Sequence, residues 1–285
     1  MVDATNAEAG ALVKAPFDMR HFYNPDLLAG RVAIVTGGAT GVGLVAARAL
    51  AQVGATVVLA SRKEDVLRRS AEDLHSENLR AEWKVLNVRD AEAVEGVVGE
   101  VAREHGRLDV LVNNAGGQYV RPAEQITPNG WRAVIDVNLN AIFYCASAAG
   151  RRMIEAGTGG CILNVIASFA DRSSAGMVHS GAARAGVAHM TRTLAREWAG
   201  LGVRVNAIGP QLLTDAAREA YRPAGVEYVA GATPMGRWGT EEEIAACFVA
   251  LCSPISGYVT GAIIPVDGGN AAGEGLSFRG GAFPG

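Results

Sequence analysis

An α/β domain built on one doubly wound parallel sheet is predicted by three observations. Short apolar runs alternate with helical patterns along most of the 285 residues. Runs such as Val110-Leu-Val112 are apolar throughout instead of alternating, which suits strands covered on both faces. The first run passes directly into a glycine loop and then a helix, the order in which such a sheet begins.

Strands are expected near 31–36, 55–60, 82–87, 108–113, 160–166, 203–208 and 262–266, about seven in all, with helices between them. Arg31-Val-Ala-Ile-Val-Thr36 is β-branched and apolar, and Gly37-Gly-Ala-Thr-Gly-Val-Gly43 leads from it into a helical pattern over 44–53. Glycines at this turn let the backbone approach a pyrophosphate, whose charge then rests on the free N–H groups of the helix. Gly37, Thr40, Gly41, Val42 and Gly43 are the residues that would touch it. The second strand ends Ala60-Ser61-Arg62-Lys63. A carboxylate at that place would bind a ribose 2′-hydroxyl and repel a 2′-phosphate. Here Ser61 offers a hydroxyl, Arg62 a planar guanidinium and Lys63 a further positive charge, so NADPH is the expected cofactor. Further along, Ala182–Trp198 reads as a long helix whose Ala185, Val187, Met190, Leu194 and Ala195 recur near the 3.6 period, and a second long helix is expected over 138–154.

Composition bounds the partners. The net charge of −3, the absence of a Lys/Arg run and the few aromatics suggest neither nucleic acid nor a membrane surface. Small molecules and further copies of the chain are the expected partners. Cys145, Cys161, Cys247 and Cys252 lie in apolar segments without a metal-ligand pattern, so reduced core thiols and no metal site are expected. No apolar signal core and no run of 18 uninterrupted apolar residues is present, and a cytoplasmic protein is expected. One nucleotide-binding domain over 29–270 is bracketed by an N-terminal extension, 1–28, and a Gly-rich tail, 271–285. The first 20 or so residues and the tail after Gly269 read as mobile, or as ordered only against a partner subunit or ligand.

The spacing Thr36-Gly37-x-x-x-Gly41-x-Gly43 resembles the short-chain dehydrogenase/reductase family, and marks further along agree. They are Asn113-Asn114-Ala115-Gly116 at the end of the fourth strand, Asn138 in Val137-Asn-Leu139, Arg204-Val-Asn-Ala-Ile-Gly-Pro210 and Val266-Asp-Gly-Gly269. The resemblance covers about residues 29–270. It places Asn87 beside the adenine, Val88, Asn114, Ala115, Gly116, Pro210 and Leu213 along the cofactor, and Thr214 at the nicotinamide carboxamide. It also implies a substrate lid over 212–235 and a homodimer or homotetramer formed through the two long helices.

Familiar members of that family orient a carbonyl with a serine, protonate it with a tyrosine and bind the nicotinamide ribose with a lysine. Counted from Asn164, those positions hold Ala167, Ser180 and Arg184, and Asn138 alone matches. Ser168 stands one residue out of register. A ketone that accepts hydride becomes a strongly basic alkoxide and needs a good acid, which a serine hydroxyl is not. An α,β-unsaturated thioester takes hydride at its β-carbon instead. Its oxygen becomes an enolate and needs hydrogen-bond donors more than an immediate proton. Ser180 and Arg184 suit that task, with Arg184 also able to take the ribose.

A closer likeness agrees, since Ala60-Ser-Arg-Lys63, Asn113-Asn-Ala-Gly-Gly-Gln118, Pro122-Ala-Glu124, Gly130-Trp131 and His179-Ser-Gly-Ala-Ala-Arg-Ala-Gly-Val187 look like the peroxisomal trans-2-enoyl-CoA reductases. Those are NADPH-dependent relatives of the 2,4-dienoyl-CoA reductases, and Phe169 stands where the dienoyl branch has a tyrosine. The resemblance therefore implies NADPH-dependent reduction of a 2-enoyl thioester, an acyl-CoA in the first instance. The chain ends Phe283-Pro-Gly285 without a peroxisomal address. Two alternatives stay open at this point: a carbonyl reductase with an atypical acid, Tyr119 being the candidate, and a nucleotide-binding protein with little catalysis. His179 reads equally as a proton donor or as a ring packed beside a helix start, and Gln118 and Arg121 are candidate contacts for a polar part of the substrate.

Overall fold

The computed structural model describes residues 17–167, 175–221 and 233–272. Seven strands, all parallel, form one sheet in the order β3-β2-β1-β4-β5-β6-β7. They are β1 (Val32–Thr36), β2 (Thr56–Ser61), β3 (Ala81–Val85), β4 (Val110–Asn113), β5 (Gly160–Val165), β6 (Val203–Pro210) and β7 (Ile263–Val266). Between them run α1 (Gly41–Gln52), α2 (Glu64–Ser76), α3 (Ala91–His105), α4 (Pro128–Ile135), α5 (Ala141–Glu155), α6 (Val178–Trp198), α7 (Asp215–Tyr221) and α8 (Glu241–Cys252). Every residue of β1 and β4 is buried, because helices cover both faces of the sheet. Strand order reverses between β1 and β4, which opens a crevice at their carboxyl ends, the position where such sheets bind ligands.

Several elements differ from the sequence-based expectations. Phe17 and Met19 are buried, and Gln52 holds them through Met19 N–H to its Oε1 (2.9 Å) and its Nε2 to the Phe17 carbonyl (2.7 Å), so mobility does not extend to residues 17–20. The helix expected from 138 begins ten residues earlier, at Pro128, whose fixed φ suits a first turn and whose neighbour Thr127 accepts the Gly130 N–H. One π turn, Asp136–Asn140, joins α4 to α5. By length and composition Pro128–Glu155 could cross a membrane, yet half of its most apolar window is buried within the domain. Helix α6 starts at Val178, four residues before its expected start, because Gly181 fits its first turn and donates its N–H to the Met177 carbonyl at 2.8 Å. Strand β3 reads Ala-Glu-Trp-Lys-Val with a mixed burial pattern, as an edge strand does. After Gly269 the chain makes a further turn, Asn270–Ala272, tied to Gln211 Oε1 through Asn270 Nδ2 (2.9 Å). Residues 1–16, Ser168, Phe169, the 222–232 part of the lid and 273–285 lie outside the described residues.

Two buried polar systems fix the strand ends. Asn113 Nδ2 donates to Asn164 Oδ1 (3.0 Å) and Asn164 Nδ2 to Thr191 Oγ1 (2.9 Å), which ties β4, β5 and α6 together below the crevice. At the opposite end of the sheet Asp109 accepts from Arg31 (2.7 Å), Arg107 (2.6 and 2.7 Å) and the Val32 N–H (2.9 Å). Burial pushes the Asp109 carboxyl up, but these hydrogen bonds together outweigh it and leave the group below the usual carboxylate range. A carboxyl depressed in the fold stabilises it above the unfolded pKa, and that stability is lost as pH falls through the folded value. Asp109→Asn is expected to lower stability at neutral pH by about 1–3 kcal/mol. The difference from the parent should shrink as the pH is taken below about 4, which thermal melts over that range would measure.

Candidate active site

At the crevice the chain turns from β1 into α1 through Gly37, with φ +63°, a conformation that glycine adopts without strain. A side chain at Gly43 would strike the Gly37 carbonyl and the Asn114 amide, so α1 seats against this loop only with glycine there. Asn114 ties the loop to β4 by donating from Nδ2 to the Thr36 and Gly37 carbonyls (3.0 and 3.2 Å), while Thr36 Oγ1 accepts the N–H groups of Asn114 and Ala115. Ser70 of α2 holds the Ala39 carbonyl at 2.9 Å. Helices α3, α4 and α8 have side-chain caps on their first turns, whereas Thr40 makes no such hydrogen bond to α1. The free N–H groups of α1, beginning at Gly41 and Val42, thus remain for an anion.

A cleft of about 580 Å³ extends from this loop across β2 and β3. Gly37, Thr40, Ser61, Arg62, Lys63, Asn87, Val88, Ala115 and Gly116 line it, as expected of the cofactor site. Arg89 lines it too and was not foreseen, although its place two residues after Asn87, beyond a carboxyl strand end, is a signal for it. Arg62, Lys63 and Arg89 are exposed, and none of them is ion-paired with another described residue. These features fit a dinucleotide: a glycine-rich turn, an uncapped helix start and cations without an ion-pair partner among the described residues where a 2′-phosphate would lie.

The other end of the site is buried. Arg184 is 8% exposed, Ser180 and Asn138 not at all. Ser180 and Arg184 stand one turn apart and so share a face of α6. Arg184 Nη1 donates to the Val165 carbonyl (2.8 Å) and Nη2 to Asn138 Oδ1 (3.0 Å), with Nε left unpartnered. Burial pushes the guanidinium down to about 10, so it stays charged at neutral pH. Asn138, carried on the π turn, also holds both backbone groups of Gly117, accepting its N–H at 3.1 Å and donating to its carbonyl at 2.6 Å. Gly116 has no room for a side chain, since a Cβ would lie 2.8 Å from both Arg184 Nη2 and Asn138 Oδ1.

The Ser180 hydroxyl donates to Gln118 Oε1 at 2.7 Å, a residue that the sequence offers as a candidate contact for a polar part of the substrate. His179 is fully buried, its Nδ1 accepts the Ser180 N–H (2.8 Å) and its Nε2 has no partner. Burial pushes its pKa down, with the Met177 backbone pulling the other way, so the ring is neutral at pH 7. Tyr119 packs edge-on against His179, ring centroids 4.5 Å apart, and its hydroxyl fills the space left beside Gly130. No hydrogen bond joins it to Ser180, Arg184 or Asn138. Thr214 lies 3.4 Å from where a Gly41 side chain would begin, and its hydroxyl accepts the Ala217 N–H at the start of α7. Pro210 ends β6, and Leu213 precedes Thr214, both half-buried.

The doubly wound sheet, its glycine turn at the switch point and the buried cationic residue beside it define an oxidoreductase scaffold. The chain belongs to the short-chain dehydrogenase/reductase family. A family model described as Enoyl-(Acyl carrier protein) reductase matches residues 37–271. The probable 2,4-dienoyl-CoA reductase, (2E)-enoyl-CoA-producing, of Bacillus subtilis is 39% identical over 84% of this chain and 96% of its own length. Gluconate 5-dehydrogenase of Gluconobacter oxydans is 33% identical over 86% and 97%. Among solved structures, a gluconate 5-dehydrogenase from Burkholderia cenocepacia in complex with NADP and tartrate superposes with a TM-score of 0.83, at 31% identity, over 88% of this chain and 99% of that one. The chain is therefore an enzyme of oxidoreductase class, and its relatives act on chemically different substrates.

The thiols lie apart from this chemistry. Cys145, Cys161 and Cys252 are buried and Cys247 half-buried, all of them free, and burial pushes Cys145 up to about 12. A maleimide is expected to label the native protein slowly, with Cys247 first. Rapid inactivation that cofactor prevents would instead put a thiol in the site.

Proposed function

We propose that the enzyme reduces the C=C bond of a 2-enoyl thioester, an acyl-CoA in the first instance, with NADPH. The observation that carries this reading is that, among the described residues, no acid stands beside the buried cation, where Ser180, a neutral His179 and an amide are the groups at hand. None of these three is a competent proton donor to an alkoxide formed in that place. An enolate, far less basic, asks only for donors, and Ser180 and Arg184 can provide them. NADPH, when bound, supplies the hydride to the β-carbon. Arg184 holds positive charge at the ribose end and lowers the energy of negative charge on the thioester oxygen. Ser180 donates a hydrogen bond to that oxygen. A proton from solvent then reaches the α-carbon, so one hydride and one proton complete the saturated product.

The likeness to the Bacillus 2,4-dienoyl-CoA reductase and to the enoyl-(acyl carrier protein) reductase family model, both named for acyl thioesters, favours this reading over a ketone substrate. Arg62, Lys63 and Arg89 favour NADPH over NADH. The uncovered Phe143 on α5, 49% exposed, suits an interface with a second copy, as a homodimer or homotetramer would form.

Oxidation of NADPH against a panel of enoyl-CoA, dienoyl-CoA and ketone substrates is the test, with enoyl-CoA expected to be turned over fastest. A ketone as the best substrate would end the proposal. Cofactor titration should show NADPH bound at least about tenfold more tightly than NADH, with the advantage lost in Arg62→Ala. Arg184→Ala is expected to weaken NADPH binding and lower enoyl reduction sharply. Ser180→Ala should lower turnover by about 10²-fold with little effect on cofactor affinity.

A further inference from the structure

Ser180 is fully buried, and among the described residues its hydroxyl makes one hydrogen bond, to the Gln118 carboxamide at 2.7 Å. A hydroxyl carries a single proton. While that proton is committed to Gln118 Oε1, Ser180 can present only lone pairs to a thioester oxygen, and two oxygens facing each other repel. The carboxamide, however, has two ends of nearly the same shape, one accepting and one donating. No other side-chain hydrogen bond of Gln118 fixes which end faces Ser180 among the described residues. With Nε2 turned inward the amide donates to Ser180 Oγ, and the hydroxyl proton is free to point into the site.

Position 118 is also well held. Its neighbour Gly117 is gripped at both backbone groups by Asn138, which in turn accepts from Arg184. The same side chain therefore reaches Ser180 from a backbone anchored to the second functional residue of α6, and it lines the cleft on its way.

We infer that Gln118 is a positioning residue for the reduction, its amide turning from acceptor to donor toward Ser180 so that the Ser180 O–H is aimed at the substrate oxygen. The inference rests on the proposed role of Ser180 as enolate donor.

The test compares steady-state reduction of an enoyl-CoA by the parent, Gln118→Leu, Gln118→Glu, Ser180→Ala and the Gln118→Leu/Ser180→Ala double variant, with melting curves for each. Gln118→Leu is expected to lower kcat about tenfold with the NADPH Kd unchanged. Its effect should vanish in the Ser180→Ala background, because Gln118 acts only through that hydroxyl. Gln118→Glu matches the native side chain in shape and keeps the test usable should leucine disturb the loop. An ionised carboxylate only accepts, so Gln118→Glu should be as slow as Gln118→Leu at pH 8 and recover as the pH falls and the carboxyl gains a proton to donate. Full turnover of Gln118→Glu at pH 8, or an undiminished leucine effect without Ser180, would overturn the inference. If Ser180→Ala is impaired while Gln118→Leu is not, the inference fails and the role of Ser180 stands. If Ser180→Ala turns over at the parent rate, both fall.

Discussion

The guanidinium of Arg184 is a charge in a place that water scarcely reaches, and its surroundings follow from what an unpaired charge would cost there. No carboxylate neutralises it among the described residues. Two oxygens share the load instead, the Val165 carbonyl at the end of β5 and Asn138 Oδ1 on the π turn. Each of those oxygens demands something of the chain. Helix α6 must lie over the end of β5, which the Asn113–Asn164–Thr191 series secures. The helix carrying Asn138 must open one wider turn, and Gly116 must lack a side chain. A carboxylate partner would have been simpler electrostatically, but it would cancel the charge. Neutral oxygens leave most of the positive potential available to a developing anion.

That arrangement explains why the missing acid is consistent with a working site. A lysine in place of Arg184 would be a compact charge with rotatable donors, suited to depressing the pKa of a nearby phenol. Arg184 has a rigid fork, and the two nitrogens of its tip are engaged in fixed directions. Among the described residues no phenol is hydrogen-bonded to that fork, and Ser180, one turn away on α6, has a proton that does not leave at neutral pH. Electrostatic preorganisation is what remains, and it serves reactions whose charge ends on a delocalised oxygen better than those that must produce a free alkoxide.

How far the site could be read from sequence depends on how local each cause is. The glycine turn, the Ser61-Arg62-Lys63 strand end and the Ser180/Arg184 pair are contiguous or one helical turn apart, and their positions follow from chain geometry. The strands were legible for the same reason, because burial on both faces writes an unbroken apolar run. The Gln118 contact with Ser180 spans 62 positions and the Asn138 grip on Gly117 spans 21, so neither leaves a periodic trace. The π turn has no sequence signature beyond the asparagine it carries. Phe17 and Met19 read as part of a mobile N-terminal stretch because the apolar core they join, and the Gln52 amide that holds their backbone, are assembled from residues distant in sequence. Helix α6 was placed late because a glycine in its first turn looks like a boundary until the Met177 cap is seen.

The stretch from Asn113 to Tyr119 joins these parts. Asn113 fixes β4 to β5, Asn114 fixes the glycine turn, Gly116 gives Arg184 its room, Gly117 is held by Asn138, Gln118 meets Ser180 and Tyr119 packs on His179. Seven consecutive residues thus touch both the cofactor end and the reacting end. The layout follows: the loops after β1, β2 and β3 line the cleft, α6 carries the buried charge and the hydroxyl, and the segment after β4 touches both.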